Sequence, residues 1–147
     1  MRNVLSVGCG VCLLLVGSWV TAMADEPPYT EGTVMDMTFV RVKPGGDEQY
    51  MKFLATQWKQ LNESAKKDGL VLSYHVIQST AANREDWDLM LVVEYKNMAA
   101  FDGLEAKIRP LMEKMAGSIT KAEEQAGKRG EIREIVGEKI GRELILK

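Results

Sequence analysis

The sequence predicts an α+β domain, a small antiparallel sheet with helices on one side, carried behind an N-terminal address segment. Three observations predict it. Stretches of period-two alternation (Thr33–Lys43, Val71–Ser79, Trp87–Lys96) are interleaved with stretches of helical period that start near Asp47 and Asn97. Glycine and proline stand at the joints between them. The first 24 residues follow the order basic, apolar, small-x-small that marks a secretory leader.

Met1-Arg2-Asn3 supplies the positive start, Val4 to Val20 the apolar middle, and Ala22-Met23-Ala24 the cleavage pattern ahead of Asp25. The expectation is cleavage after Ala24 and a secreted or periplasmic protein with no stable membrane anchor. The competing anchor reading is weaker, because the apolar run falls short of the roughly 20 residues a span needs. A lipoprotein reading on Cys9 leaves too few apolar residues upstream. Cys9 and Cys12 both lie in this segment, so the mature chain has no cysteine and no disulfide, in a compartment that would permit one. Core and interface alone must stabilise it, which is feasible at this size.

Residues 25–32 read as an extended lead-in and 33–147 as one domain without internal repeats. Strand one is Thr33–Lys43, stopped by Pro44-Gly45-Gly46. Asp47 is the candidate N-cap of helix one, with Glu48 in its first turn. Tyr50, Phe53, Leu54, Trp58, Leu61 and Ala65 form its apolar stripe, and Gly69 followed by Leu70 closes it near Asp68. Strand two is Val71–Ser79. A polar connection leads to strand three, whose Leu89-Met90-Leu91-Val92-Val93 is apolar on both faces, as a central strand requires. Asn97 can cap helix two, on which Phe101, Leu104, Ile108, Leu111, Met112, Met115 and Ile119 share a stripe. Pro110 within it predicts a kink or break. The polar Thr120–Arg129 stretch can continue this helix. Ile132, Ile135, Val136 and Ile140 suggest a short final helix, and Arg142–Lys147 a closing strand.

The resulting order, β-α-β-β-α-β with extra helix before the last strand, is the ferredoxin-like split βαβ arrangement, a four-stranded antiparallel sheet with helices on one face. Strand one places Val34, Asp36, Thr38, Val40 and Val42 on one side and Met35, Met37, Phe39, Arg41 and Lys43 on the other. Both sides carry apolar residues, yet helices cover only one. The other needs a partner.

Arg41-Val42-Lys43-Pro44-Gly45 followed by an amphipathic helix resembles the opening of dimeric α/β-barrel proteins. Glu94-Tyr95-Lys96-Asn97-Met98-Ala99-Ala100-Phe101, where strand three turns into helix two, resembles them as well. The resemblance covers about Thr33 to Lys147. It implies a homodimer whose two sheets close into one barrel, in a superfamily with small monooxygenase-like and haem-degrading members and many uncharacterised ones. It implies no reaction by itself. Haem-binding and oxygenase members often supply a histidine from helix two, and Phe101 to Ile108 has none.

Composition narrows the function classes. The chain has 147 residues and a formal net charge of −2, which excludes the strongly basic surface of a generic nucleic-acid binder. With 46% hydrophobic residues it is too apolar to be disordered. A single histidine excludes a multi-histidine metal centre within one chain. The nucleotide, zincin and serine-hydrolase fingerprints do not occur.

The candidate catalytic residues are His75, Asp36 and Glu94. His75 shares a strand face with Val71, Ser73 and Ile77, and could act as a general base or single axial ligand. No partnering acid is apparent from spacing, which favours a hydrogen-bonded strand histidine. Asp36 and Glu94 sit in central strands, where a carboxylate needs a partner and its pKa can rise. An acid–base pair is conceivable. A salt bridge to Arg41, Lys96 or a helix lysine is the favoured reading. Met35-x-Met37 with Met90 and His75 could hold Cu(I), but methionine at strand and helix spacing is usually core filler, so no cofactor or metal is expected. Tyr74, His75, Trp87 and Tyr95 are the candidate ligand-binding residues for a small apolar or aromatic molecule. Trp58, also aromatic, belongs to the core stripe of helix one. The charged stretch Lys121–Glu134 reads as a solvated helix face. The reading is an exported dimeric ligand-binding protein. The alternatives are a cofactor-independent monooxygenase-like or haem-handling enzyme and a structural, partner-binding envelope protein.

Overall fold

The structure, a computed structural model, describes residues 26–147. The expected leader and its expected cleavage site lie outside the described residues. Among the described residues no helix is long and apolar enough to cross a membrane.

The fold is α+β, built on an open four-stranded antiparallel sheet in the order β2-β3-β1-β4. The strands are β1 (Tyr29–Val42), β2 (Ser73–Gln78), β3 (Leu89–Tyr95) and β4 (Arg133–Leu146). Since β3 is antiparallel to both neighbours, β1 and β2 run parallel with β3 between them. The helical rod between β1 and β2 is α1 (Asp47–Phe53), a π-helical turn (Leu54–Trp58) and α2 (Lys59–Lys67). A 3-10 turn (Met98–Phe101), α3 (Leu104–Ala116) and α4 (Ile119–Arg129) join β3 to β4.

Sheet register assigns the two faces, because residues directly opposite each other point the same way. Val40, Leu89 and Leu91 on one face form a core cluster with Tyr50 and Leu54 of the helical rod. Tyr95 and Val93, on the same face, gather with Ala65, Leu104, Ile108 and Leu111. The other face carries Met35, Met37 and Phe39 of β1, against Glu94, Val92 and Met90 of β3. On β2 it continues through Ser73, His75 and Ile77, and on β4 through Gly137, Lys139 and Gly141. None of these residues takes part in the two helix-side clusters. No helix-side cluster therefore covers its apolar side chains.

Local chemistry explains most boundaries. Gly69, at φ 72°, ends α2 in the left-handed conformation, and Leu70 N–H bonds back to the Ala65 carbonyl at 2.9 Å while its side chain joins the Ala65 cluster. Gly117, at φ 86°, ends α3, and the Ser118 hydroxyl then caps α4 by accepting from Lys121 N–H.

Several expectations are corrected. The N-cap of α1 is Gly46, not Asp47, and Asp47 and Glu48 instead supply first-turn charge. Asn97 makes no side-chain cap. Pro110 lies inside α3, which runs through it; the break falls at Gly117. The lead-in is partly strand, since Tyr29, Thr30 and Glu31 pair with Leu146, Ile145 and Leu144. The largest correction concerns Ile132, Ile135, Val136 and Ile140, expected as helix: Ile132 ends the turn after α4, and the other three lie in the first half of β4. A β-bulge explains the misleading period: Phe39 pairs with Gly137 and Val40 with Ile135, leaving Val136 as an extra residue. The bulge places two apolar residues side by side, which mimics helical spacing. The β-branched Ile135, Val136 and Ile140 favour the strand, and Gly137 disfavours a helix.

The β1–β4 pair outruns the rest of the sheet. β3 reaches β1 only from Val34 to Val40, so Tyr29–Glu31 and Leu144–Leu146 project as a two-stranded arm. Leu144, Ile145 and Leu146 are exposed there, and Ile140 beside it.

Candidate functional site

Four polar side chains line up across the face that no helix covers. Ser73 on β2 sits opposite Glu94 on β3, and His75 lies two residues along β2 on the same face. Glu94 receives a hydrogen bond from Thr33 Oγ1 at 2.6 Å on one carboxylate oxygen and from Ser73 Oγ at 2.5 Å on the other. His75 Nε2 lies 3.2 Å from Ser73 Oγ. The hydroxyl of Ser73 has one proton and gives it to Glu94, so its oxygen is left to accept. With that polarity His75 Nε2 is the donor toward Ser73 Oγ.

That polarity bears on the chemistry open to these four groups. The hydrogen bonds from Ser73 and then Thr33, with a smaller contribution from His75, hold the Glu94 carboxyl below its usual range despite partial burial. A carboxylate so stabilised is a weak base. An activated serine would donate toward a histidine, whereas Ser73 donates toward a carboxylate and accepts from His75. The arrangement orients an exposed imidazole beside a carboxylate, a recognition geometry more than a nucleophilic one.

Asp36 lies on the opposite face from Glu94, so the two carboxylates form no acid–base pair. Burial, and secondarily Glu138, push the Asp36 carboxyl up. Tyr95 responds in the same direction, through its own burial and then through Asp36. The expected salt bridges do not form. Among the described residues neither Asp36 nor Glu94 makes an ion pair. Arg41 is engaged instead by Glu134 at 2.9 Å and by the Arg84 carbonyl.

The aromatic candidates also divide between the faces. Trp87 packs edge-on against Phe39 on the uncovered side, at 5.4 Å between ring centroids. Tyr74 and Tyr95 lie on the helix side. Tyr74 meets Trp58 edge-on and its hydroxyl donates to Glu63. Tyr95 packs against Phe101. Tyr95 and Trp58, with Val71, Val93, Leu104 and Ile108, line a cleft of about 370 Å³ between the sheet and α2–α3. The π-helical turn ends at Trp58, whose carbonyl takes the side-chain amide of the buried Asn62, so that polar group is satisfied beside the cleft. A second cavity, of about 180 Å³, opens on the other side of Trp58, between the α1–α2 rod and α3–α4.

Sequence reasoning missed Thr33 and Ser73 as hydrogen-bond partners, along with Arg129 and Arg133. The two arginines fall in the stretch expected as a solvated helix face. They turn inward instead, the Arg129 guanidinium 4.3 Å from the centre of the Phe53 ring and that of Arg133 5.8 Å from Tyr50. The signal for Ser73 was its shared face with His75; the missing piece was the cross-strand register that sets Glu94 opposite it.

The chain matches no family model, no curated protein and no solved structure.

Proposed function

We propose that this chain is an exported small-ligand-binding protein that works as a homodimer, its ligand a small apolar or aromatic molecule held between helices and sheet. The cleft beneath α2 and α3 carries the reading. Its volume of about 370 Å³ lies within the roughly 300–1,000 Å³ of small-molecule sites, and its walls are apolar and aromatic. The ferredoxin-like arrangement belongs to the same proposal, supported by the parallel β1 and β2 flanking β3. Pairing through the sheet is supported by the apolar face of Met35, Met37 and Phe39 and by the exposed arm of β1 and β4, since open apolar patches of that kind are rare on monomers.

One observation favours a second reading, haem-handling or monooxygenase-like chemistry. It is the oriented His75 within an apolar face, which sheet pairing would enclose. Haem titration followed by optical spectroscopy, with His75→Ala as control, tests it.

The primary reading is tested with N-phenyl-1-naphthylamine, a neutral aromatic probe whose emission rises in apolar surroundings. The wild type binds it, and Ile108→Trp, which fills the cleft, weakens binding at least tenfold with an unchanged far-ultraviolet spectrum. Absence of probe binding, or full binding by Ile108→Trp, refutes the cleft as the site.

A further inference from the structure

Beyond the cleft, we infer that the cavity between the α1–α2 rod and α3–α4 binds an amphipathic monocarboxylate, a single ring or short chain bearing one carboxylate, with Arg129 as the anion clamp. The walls supply the first half of the argument. Phe53, Trp58, Leu61, Met112 and Met115 make most of the lining apolar. The volume of about 180 Å³ suits a one-ring body, since a cavity of roughly 150 Å³ is enough for benzene.

Arg129 supplies the second half. It lines this cavity, and its Nε is buried without a hydrogen-bond partner. Among the described residues neither Arg129 nor Arg133 pairs with a carboxylate. The guanidinium carbon lies 4.3 Å from the centre of the Phe53 ring, a contact that consumes no N–H donor, and the buried Nε–H has no partner among the described residues. Arg133 stands close enough to disfavour the charge further, so that burial first and Arg133 second depress the Arg129 guanidinium. A half-buried cation with an unpartnered buried Nε–H, no carboxylate partner among the described residues and a like-charged neighbour calls for an anion. The guanidinium fork matches a carboxylate in a bidentate pair, and Gln57, Gln60 and Gln125 add amide donors at the same cavity. One arginine among apolar walls fits a monoanion better than a multiply charged phosphate.

The test compares 3-phenylpropanoate with its neutral counterpart 3-phenylpropanol by titration calorimetry at low salt. In the wild type the acid binds roughly tenfold tighter or more, as a charge-assisted hydrogen bond implies. Arg129→Gln brings the acid down to the affinity of the alcohol, and Arg129→Lys recovers part of the difference. Ile108→Trp, which fills the neighbouring cleft, leaves the binding of the acid unchanged. Equal affinities in the wild type, a preference for the acid that survives Arg129→Gln, or loss of acid binding in Ile108→Trp each overturn the inference. Should Arg129→Gln fail to fold, Ala116→Leu fills the cavity and keeps the arginine. Loss of acid binding in it supports the site, and full retention refutes it.

Discussion

Replacing Glu94 by glutamine tests the hydrogen-bonded chain on the uncovered face. The carboxylate accepts from Thr33 at 2.6 Å and from Ser73 at 2.5 Å. Hydrogen bonds to a charged group contribute about 1.5–3 kcal/mol each where water is excluded. Glu94 is only partly buried, so solvent screening reduces that. Glutamine also keeps one carbonyl oxygen for one of the two hydroxyls. Its amide, at the other position, would force Ser73 to accept where it now donates, while His75 Nε2 already addresses the same oxygen. A net loss of about 1 kcal/mol at neutral pH follows.

The pH dependence separates charge from shape. The folded carboxyl lies below its ordinary value of 4.5, so the ionised form is favoured by folding. Its contribution is fully present above that ordinary value and is lost as pH falls through the folded one. Glu94→Gln therefore unfolds at lower urea than the wild type at pH 7, by roughly 0.3–1 M for a typical slope, and the two midpoints draw together as pH falls below the ordinary carboxyl range. Tryptophan fluorescence follows both transitions. A difference as large at pH 3 as at pH 7, or none at pH 7, would show that the hydroxyls are not serving the carboxylate charge.

Two other predictions follow from the packing. Gly46→Ala places a methyl group 2.5 Å from the Ile132 carbonyl oxygen, which already accepts from Lys43 N–H, so relief costs overpacking and that hydrogen bond together. Thermal or urea unfolding should register a loss of about 2–4 kcal/mol, and a loss under 1 kcal/mol would mean that the β1–α1 joint yields readily. Phe39→Asp puts a charge in the middle of the uncovered face. Light scattering at micromolar concentration should find the wild type dimeric and this variant monomeric with unchanged circular dichroism, and a monomeric wild type defeats pairing through the sheet.

The sequence was legible where a single residue or a clean period decides local structure. Alternation located β1, β2 and β3 to within a few residues, except that β1 begins at Tyr29, where its pairing with β4 starts. Gly69 with Leu70 identified the end of α2 because only a left-handed residue followed by an apolar one closes a helix that way. It was illegible where tertiary context overrides the pattern. The bulge at Val136 gives a strand the spacing of a helix. Pro110 is carried inside α3 without ending it, at a position where a single-sequence rule predicts a kink or break. The candidate site followed the same division. Alternation placed His75 on the face of Ser73, but only the β2–β3 register could set Ser73 opposite Glu94.

Arg129 and Arg133 carry this furthest. Five charged residues lie between Lys121 and Arg129, and a run of that kind normally marks a solvated surface. What turns the arginines inward is the company they meet, Phe53 and Tyr50 on the α1 face beside the end of α4. An arginine stacks on an aromatic ring where a lysine would reach past it to water, because its guanidinium is flat and more weakly hydrated than an ammonium. Lys128 is exposed, while Arg129 next to it is half-buried. Charge alone therefore cannot distinguish the two positions; the planarity of the cation and the aromatic ring across the cavity do.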